Sequence, residues 1–131
     1  MAEAKSNAAF GFRLDLSTGI PVYRQLIDQV LGAMAVRALR AGDRLPTVRQ
    51  VAVDLAINPN TVVRAYKELE IRGVLTTQQG TGTFISEQPV AVDEAERQRR
   101  LSQFVADLAA RAGAEGFSMK EVLAALREKQ H

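Results

Sequence analysis

The chain has 131 residues, 47% of them hydrophobic, which suffices for one well-packed domain and a small appendage but not for two large domains. Seventeen Lys and Arg stand against fifteen Asp and Glu, so global charge is a weak argument for a polyanionic partner and local geometry must carry any such case. Cys is absent, the stretch Met1 to Asn7 has no signal-peptide core, and no apolar run reaches the roughly 18 residues of a membrane span, so a soluble cytoplasmic protein in a reducing compartment is expected.

Met1 to Gly11 reads as a loosely held terminus. Phe12, Leu14 and Leu16 alternate with Arg13 and Asp15, as in an extended lead-in. Ser17, Thr18 and Pro21 then announce a long first helix that is expected to end near Ala41 and Gly42. Its stripe of Val22, Tyr23, Leu26, Ile27, Val30, Leu31 and Met34 recurs at helical spacing, so Tyr23 and Met34 read as core rather than as the lining of a ligand pocket. Arg44 and Leu45 are expected to form a short strand beside a later hairpin. That would bring Arg44 to the hairpin's binding side, with a plain surface position as the rival reading.

The stretch Leu45 to Ile85 carries the strongest signals. Thr47 and Gln50 stand at the spacing of a capping box, in which each side chain satisfies an orphan amide of the helix start. Val48, Val51, Ala52 and Leu55 follow at helical spacing and leave Arg49 outside the stripe. Asn58 is the expected N-cap of a second helix, with Pro59 at the first helical position, where a missing N–H costs nothing. Between the two helices only a sharp corner fits. On the second helix Val62, Ala65, Tyr66 and Leu69 fall on one face, and Asn60, Val63, Arg64 and Lys67 on the other.

An outward face of amide, aliphatic, guanidinium and ammonium groups has what a major-groove reader needs. Asn can pair with adenine, Arg with guanine, an exposed methyl with thymine, and Lys with phosphate. The amides of Asn60 and Thr61 are also placed to hold a backbone phosphate. The plain alternative is a solvated face on which Arg64 pairs with Glu68, or Glu68 with Arg72, at four-residue spacing. Past Gly73, a helix-ending residue, Val74 to Gln78 and Thr83 to Ser86 are β-prone and flank Gln79, Gly80, Thr81 and Gly82. This uncharged hairpin could lie along phosphates or enter a minor groove, though Gly-Thr-Gly alone is also an ordinary turn. The order of helix, corner, helix and wing makes the pattern specific: a winged helix-turn-helix over residues 12–88.

Beyond Pro89, Leu101, Phe104, Val105, Leu108 and Ala112 form a stripe that starts after the charged run Asp93 to Arg100 and is broken by Gly113 to Gly116. Ser118 and Glu121 form another capping box, followed by Met119, Val122, Leu123 and Leu126. Two such helices over 91–131 have too little core to stand alone and must pack on the first domain or on a second copy. The run Arg97, Arg99, Arg100 lies beside Glu94 and Glu96 and reads as a solvated face.

The chain resembles the GntR family of bacterial transcription regulators. The resemblance rests on the run Gly42 to Arg49, on Asn58-Pro59-Asn60-Thr61-Val62, Arg64-Ala65-Tyr66 and Leu69-Glu70, and on Gly73 and Gln79 to Phe84. Ile20 to Leu26 and the short tail make it similar to the YtrA subfamily in particular. The resemblance implies a mainly α fold with a small β wing, followed by a short two-helix C-terminal dimerisation segment. It further implies DNA contacts from the Arg at Arg49, the polar residues at Asn58, Asn60 and Thr61, and the wing glycine at Gly80. Many relatives carry an Arg where this chain has Val63, which leaves open whether Arg64 takes over that contact. With Arg44, Thr47, Lys67, Gln79, Thr81 and Gly82, these residues make up the candidate DNA-binding set.

The expected partners are double-stranded DNA and a second copy of the chain, with no membrane. The expected function is a homodimeric repressor acting at an inverted repeat; the alternative is a winged-helix module that docks a protein without binding DNA. The only His is the terminal His131 and no carboxylate pair has an activating neighbour, so no enzyme, cofactor or metal site is expected. No large sensory domain fits, so an unidentified small-molecule effector would have only the tail helices or the dimer seam to bind.

Overall fold

The computed structural model describes residues 10–87 and 93–129. The expected loose terminus before residue 10, the join between the two parts at 88–92 and His131 lie outside the described residues. The chain divides into two compact units, Met1–Gln88 and Pro89–His131. The first unit holds α1 (Val22–Ala35), α2 (Val48–Leu55), α3 (Pro59–Ile71), β1 (Leu75–Gln78) and β2 (Gly82–Ile85); the second holds α4 (Glu94–Glu115) and α5 (Met119–Lys129). This is the expected mainly α fold with a small β wing. None of the described helices is long and apolar enough to cross a membrane.

The core of the first unit gathers Leu26, Ile27 and Val30 of α1, Val51 of α2, Val62, Ala65 and Leu69 of α3, and Leu75 and Ile85 of the wing. Each large aliphatic side chain buried here contributes about 1.5–3 kcal/mol, which is why the two helical stripes and the strand ends converge on one interior. The lead-in is extended, but it pairs with side chains rather than with a strand. Gln29 Oε1 accepts from the Arg13 amide at 2.9 Å, and Gln25 Oε1 accepts from the Asp15 amide at 2.9 Å while its Nε2 donates to the Asp15 carbonyl at 3.0 Å. Phe12 and Leu14 pack on the core. Leu16 does not: Asp15 Oδ1 accepts from the Ser17 amide, the chain turns away, and Leu16 is left 78% exposed.

The first helix stops at Ala35, six residues short of the expected end at Ala41. Arg37 adopts a left-handed φ of 66°, and the Arg37 and Ala38 amides donate to the Met34 and Ala33 carbonyls, closing the helix end as a Schellman motif. Burial of Leu39 in the core holds that reversal in place. The capping box of α2 forms as expected, with Thr47 Oγ1 accepting from the Gln50 amide and Gln50 Oε1 accepting from the Thr47 amide. The corner after it is made by Ala56 at φ 55°, ψ 48°, whose amide and that of Ile57 donate to the Val53 and Ala52 carbonyls.

In the wing, Gln78 pairs with Gly82, so Gly82 belongs to β2 and the turn is Gln79, Gly80 and Thr81, one residue shorter than expected. The Thr81 amide donates to the Gln78 carbonyl, and Gly80 takes φ +80° at the turn position that needs a positive φ. The expected strand at Arg44 and Leu45 is reduced to a single antiparallel bridge, Arg44 with Phe84. Leu45 nevertheless donates to the Thr83 carbonyl, and Ile85 to the Asp43 carbonyl, each at 2.8 Å.

In the second unit, α4 includes the charged run and continues through Gly113; only Gly116, at φ +87°, ends it. Asp93 caps its start by accepting from the Glu96 amide. Glycine inside a helix costs only about 0.5–1 kcal/mol relative to Ala, too little to break a helix that already has two good ends. The Ser118 and Glu121 capping box of α5 is present in both directions.

Candidate nucleic-acid interface

The polar outward face belongs to α3, and the aim of that helix is set at both ends. At its start, Asn58 Oδ1 accepts from the Asn60 amide at 2.8 Å, and the Thr61 amide donates to the Asn58 carbonyl at 3.0 Å. The two amides read from the sequence as phosphate donors thus both point to Asn58, one to its side chain and one to its carbonyl. Along its buried face, the Tyr66 hydroxyl donates to the Pro46 carbonyl at 2.6 Å, tying α3 to the segment that leads into α2. Burial pushes the Tyr66 phenol far above its usual range, so it remains a donor at every physiological pH. Near its end, Glu70 accepts a hydrogen bond from the Thr77 hydroxyl of β1, which couples the helix to the wing.

With the core face fixed by Val62, Ala65, Tyr66 and Leu69, the exposed face carries Asn60, Val63, Arg64 and Lys67, as expected. Thr61 is half-buried at the edge. Arg49, at the start of α2, is exposed, and Thr47 and Asn58 are exposed too, although Thr47 Oγ1 and Asn58 Oδ1 serve as helix caps. Arg49 and Lys67 enter no ion pair among the described residues, so an incoming phosphate would not have to displace a carboxylate from them. Gln79, Gly80 and Thr81 form the exposed wing tip, and Gly82 lies behind it.

Arg44 sits over the Phe84 ring, with its guanidinium carbon 6.0 Å from the ring centroid. Its Nε would lie 2.8 Å from a Cβ built on Gly82, so the glycine makes room for it. Arg44 is therefore part of the wing's own packing as well as a surface cation.

Glu68 pairs with Arg72 at 3.2 Å, not with Arg64. The Arg64 guanidinium lies over the ring of Tyr23 of α1, 3.7 Å from its centroid. Tyr23, read from the sequence as core, is half-buried and also forms this platform. Periodicity could not reveal it, because the pair joins two helices some forty residues apart. Val53, 72% exposed one turn after Arg49 on α2, is a second surface residue that the stripe analysis passed over.

Residues 22–85, from α1 to the end of β2, match the family of bacterial regulatory proteins, gntR family. The chain is similar to the uncharacterized HTH-type transcriptional regulator YhcF of Bacillus subtilis, 43% identical over 74 residues that cover 56% of this chain and 61% of YhcF. It is similar to the HTH-type transcriptional repressor YtrA of Bacillus subtilis, 43% identical over 75 residues, or 57% of this chain and 58% of YtrA. The chain thus spans about three fifths of the length of these curated relatives. Among solved structures, a transcriptional regulator from Oenococcus oeni is 33% identical with a TM-score of 0.56, covering 90% of this chain and 98% of that one.

Proposed function

The chain belongs to the GntR family of DNA-binding transcription regulators, and from that premise we propose that it is a cytoplasmic homodimeric repressor acting at an inverted-repeat operator. One observation carries the reading: the face of α3 turned away from the core presents Asn60, Val63, Arg64 and Lys67 together, on a helix coupled through Glu70 to a glycine-tipped wing. In this reading Asn60 addresses a base edge, Arg64 a base edge or the adjoining backbone, Val63 supplies a methyl contact, and Arg49 and Lys67 hold phosphates. Thr47, Asn58 and Thr61 shape the helix starts next to the backbone. Arg44 with Gln79, Gly80, Thr81 and Gly82 brings the wing against the flanking duplex.

The homodimer is supported by the second unit's own surface. Leu101, Phe104 and Val105 of α4 and Leu123 and Leu126 of α5 are all at least 46% exposed, an apolar surface of the kind that marks an interaction site. On α5, Glu121 and Lys129 stand equally far from Ala125, so an antiparallel α5 of the second copy would place opposite charges face to face across a small residue. Two readers related by a two-fold axis suit a two-fold site, and an effector would act on the seam between the tails. The relatives are transcription regulators, which lends no support to the rival protein-docking module.

Selection from a random duplex pool, followed by affinity measurement over a salt series, tests the proposal. The selected sequences should form an inverted repeat, and log affinity should fall with log salt by about 0.9 per phosphate neutralised. Arg49→Ala should weaken binding about equally on every sequence and reduce the salt slope by about one. A protein that retains no duplex at low salt refutes DNA binding; one that selects a single asymmetric site as a monomer refutes the dimer.

A further inference from the structure

We propose that Tyr23 is a positioning residue for DNA recognition: its ring holds the Arg64 guanidinium in the plane and direction in which that group meets the duplex. The inference rests on the DNA-binding reading above and adds to it a residue outside the helix-turn-helix. The guanidinium carbon lies 3.7 Å from the Tyr23 ring centroid, within the range of a face-on cation–π contact. Such a contact occupies the flat face of the guanidinium and leaves its N–H donors, which lie in the plane at its edge, available to an acceptor pair.

Two further observations make the stack a positioning device rather than a chance surface contact. Tyr23 is anchored, since it is half-buried and packs against the core cluster that includes Leu26 and Ile27 of its own helix. The carboxylates nearby are also engaged elsewhere: Glu68, the natural partner of Arg64 along the helix, pairs with Arg72, and Asp28 with Arg24 at 3.6 Å. Arg64 is thereby kept from a salt bridge that would take up its edge donors, and its long side chain gives up rotamer freedom before DNA arrives. The acceptor pair is either guanine O6 and N7 or two phosphate oxygens; both have the same chemistry, and the experiment separates them.

The test uses the full chain and the selected operator duplex, with an unrelated duplex of equal length as control. Tyr23→Phe keeps the ring and should bind the operator within about twofold of wild type, whereas Tyr23→Leu should bind about three- to tenfold more weakly. In an Arg64→Ala background, Tyr23→Leu should change nothing further. A loss confined to the operator assigns the base edge; an equal loss on both duplexes assigns phosphate. The proposal is overturned if Tyr23→Leu costs as much without Arg64 as with it, if Tyr23→Leu tightens binding, or if Tyr23→Phe fails as Leu does.

Because Tyr23 is half-buried, a second measurement does not depend on that substitution. In wild-type protein the Arg64 side-chain proton resonances should be shifted upfield by the ring current and stay shifted on binding the operator. Loss of the shift on binding would show that the ring withholds Arg64 rather than presenting it. Wild-type protein that binds no duplex removes the DNA-binding reading and this one together; intact binding with a silent Tyr23→Leu removes this one alone.

Discussion

The corner between α2 and α3 decides where α3 points, and it is built on an unfavourable residue. Ala56 sits at φ 55°, ψ 48°, a left-handed conformation that crowds an L-residue's Cβ against its own carbonyl at a cost of about 1–2 kcal/mol. Ala56→Gly removes the Cβ and leaves intact the two bonds that close the helix, from the Ala56 amide to the Val53 carbonyl at 3.2 Å and from the Ile57 amide to the Ala52 carbonyl at 3.0 Å. Against this relief stands the larger backbone entropy of an unfolded glycine, about 0.4–1 kcal/mol. The net expectation is a stabilisation of about 0.5–1 kcal/mol, which for a unit of this size is a rise of roughly 2–8 °C in Tm. Thermal unfolding followed by circular dichroism reads it directly. Operator affinity should not change, because the residue 56 side chain is exposed and the helix geometry is retained. A lower Tm for Ala56→Gly would refute the account of the corner, and Ala56→Val, which adds a branched Cβ at the same φ, should destabilise.

Three other substitutions separate the wing from the core. Gly82 lies at φ +135° with Arg44 Nε at 2.8 Å from an added Cβ, whereas Gly80 at φ +80° has nothing within 4 Å. Gly82→Ala should therefore cost about 1–3 kcal/mol and displace Arg44, while Gly80→Ala should show backbone strain alone; comparing their urea midpoints and operator affinities checks this, and equal effects would dismiss the steric argument. Tyr66→Phe removes the hydroxyl that donates to the Pro46 carbonyl at 2.6 Å and should lower stability by about 0.5–1.5 kcal/mol in chemical denaturation; no loss would mean that water replaces the bond.

How the wing is coupled to the helix bears on what these variants report. Thr77 of β1 bonds to Glu70 of α3, and Asp43 and Leu45 exchange backbone hydrogen bonds with β2. A change at the wing therefore acts on a hairpin tied at two places to the segments that carry Arg44, Arg49 and the exposed face of α3. Losses of DNA affinity without loss of helix content would locate the defect in that hairpin.

Much of the first unit was legible because its signals are short-range. A capping box needs only Thr47 and Gln50, an N-cap only Asn58 before Pro59, and the two faces of α3 follow from the helical period once Val62, Ala65, Tyr66 and Leu69 are seen to recur. Those features depend on neighbours within a turn or two of chain, so the residues that set them are adjacent in the text. The tertiary structure decided the rest. The first helix stops at Ala35 because burial of Leu39 makes the left-handed Arg37 worthwhile, and Gly82 joins β2 because Gln78 is its partner across the hairpin. Glu68 takes Arg72, and Arg64 takes the Tyr23 ring of a different helix. Each of these is a choice among competing partners of similar intrinsic strength. Such a choice is settled by which group the packed core brings within reach, and no local pattern encodes that distance.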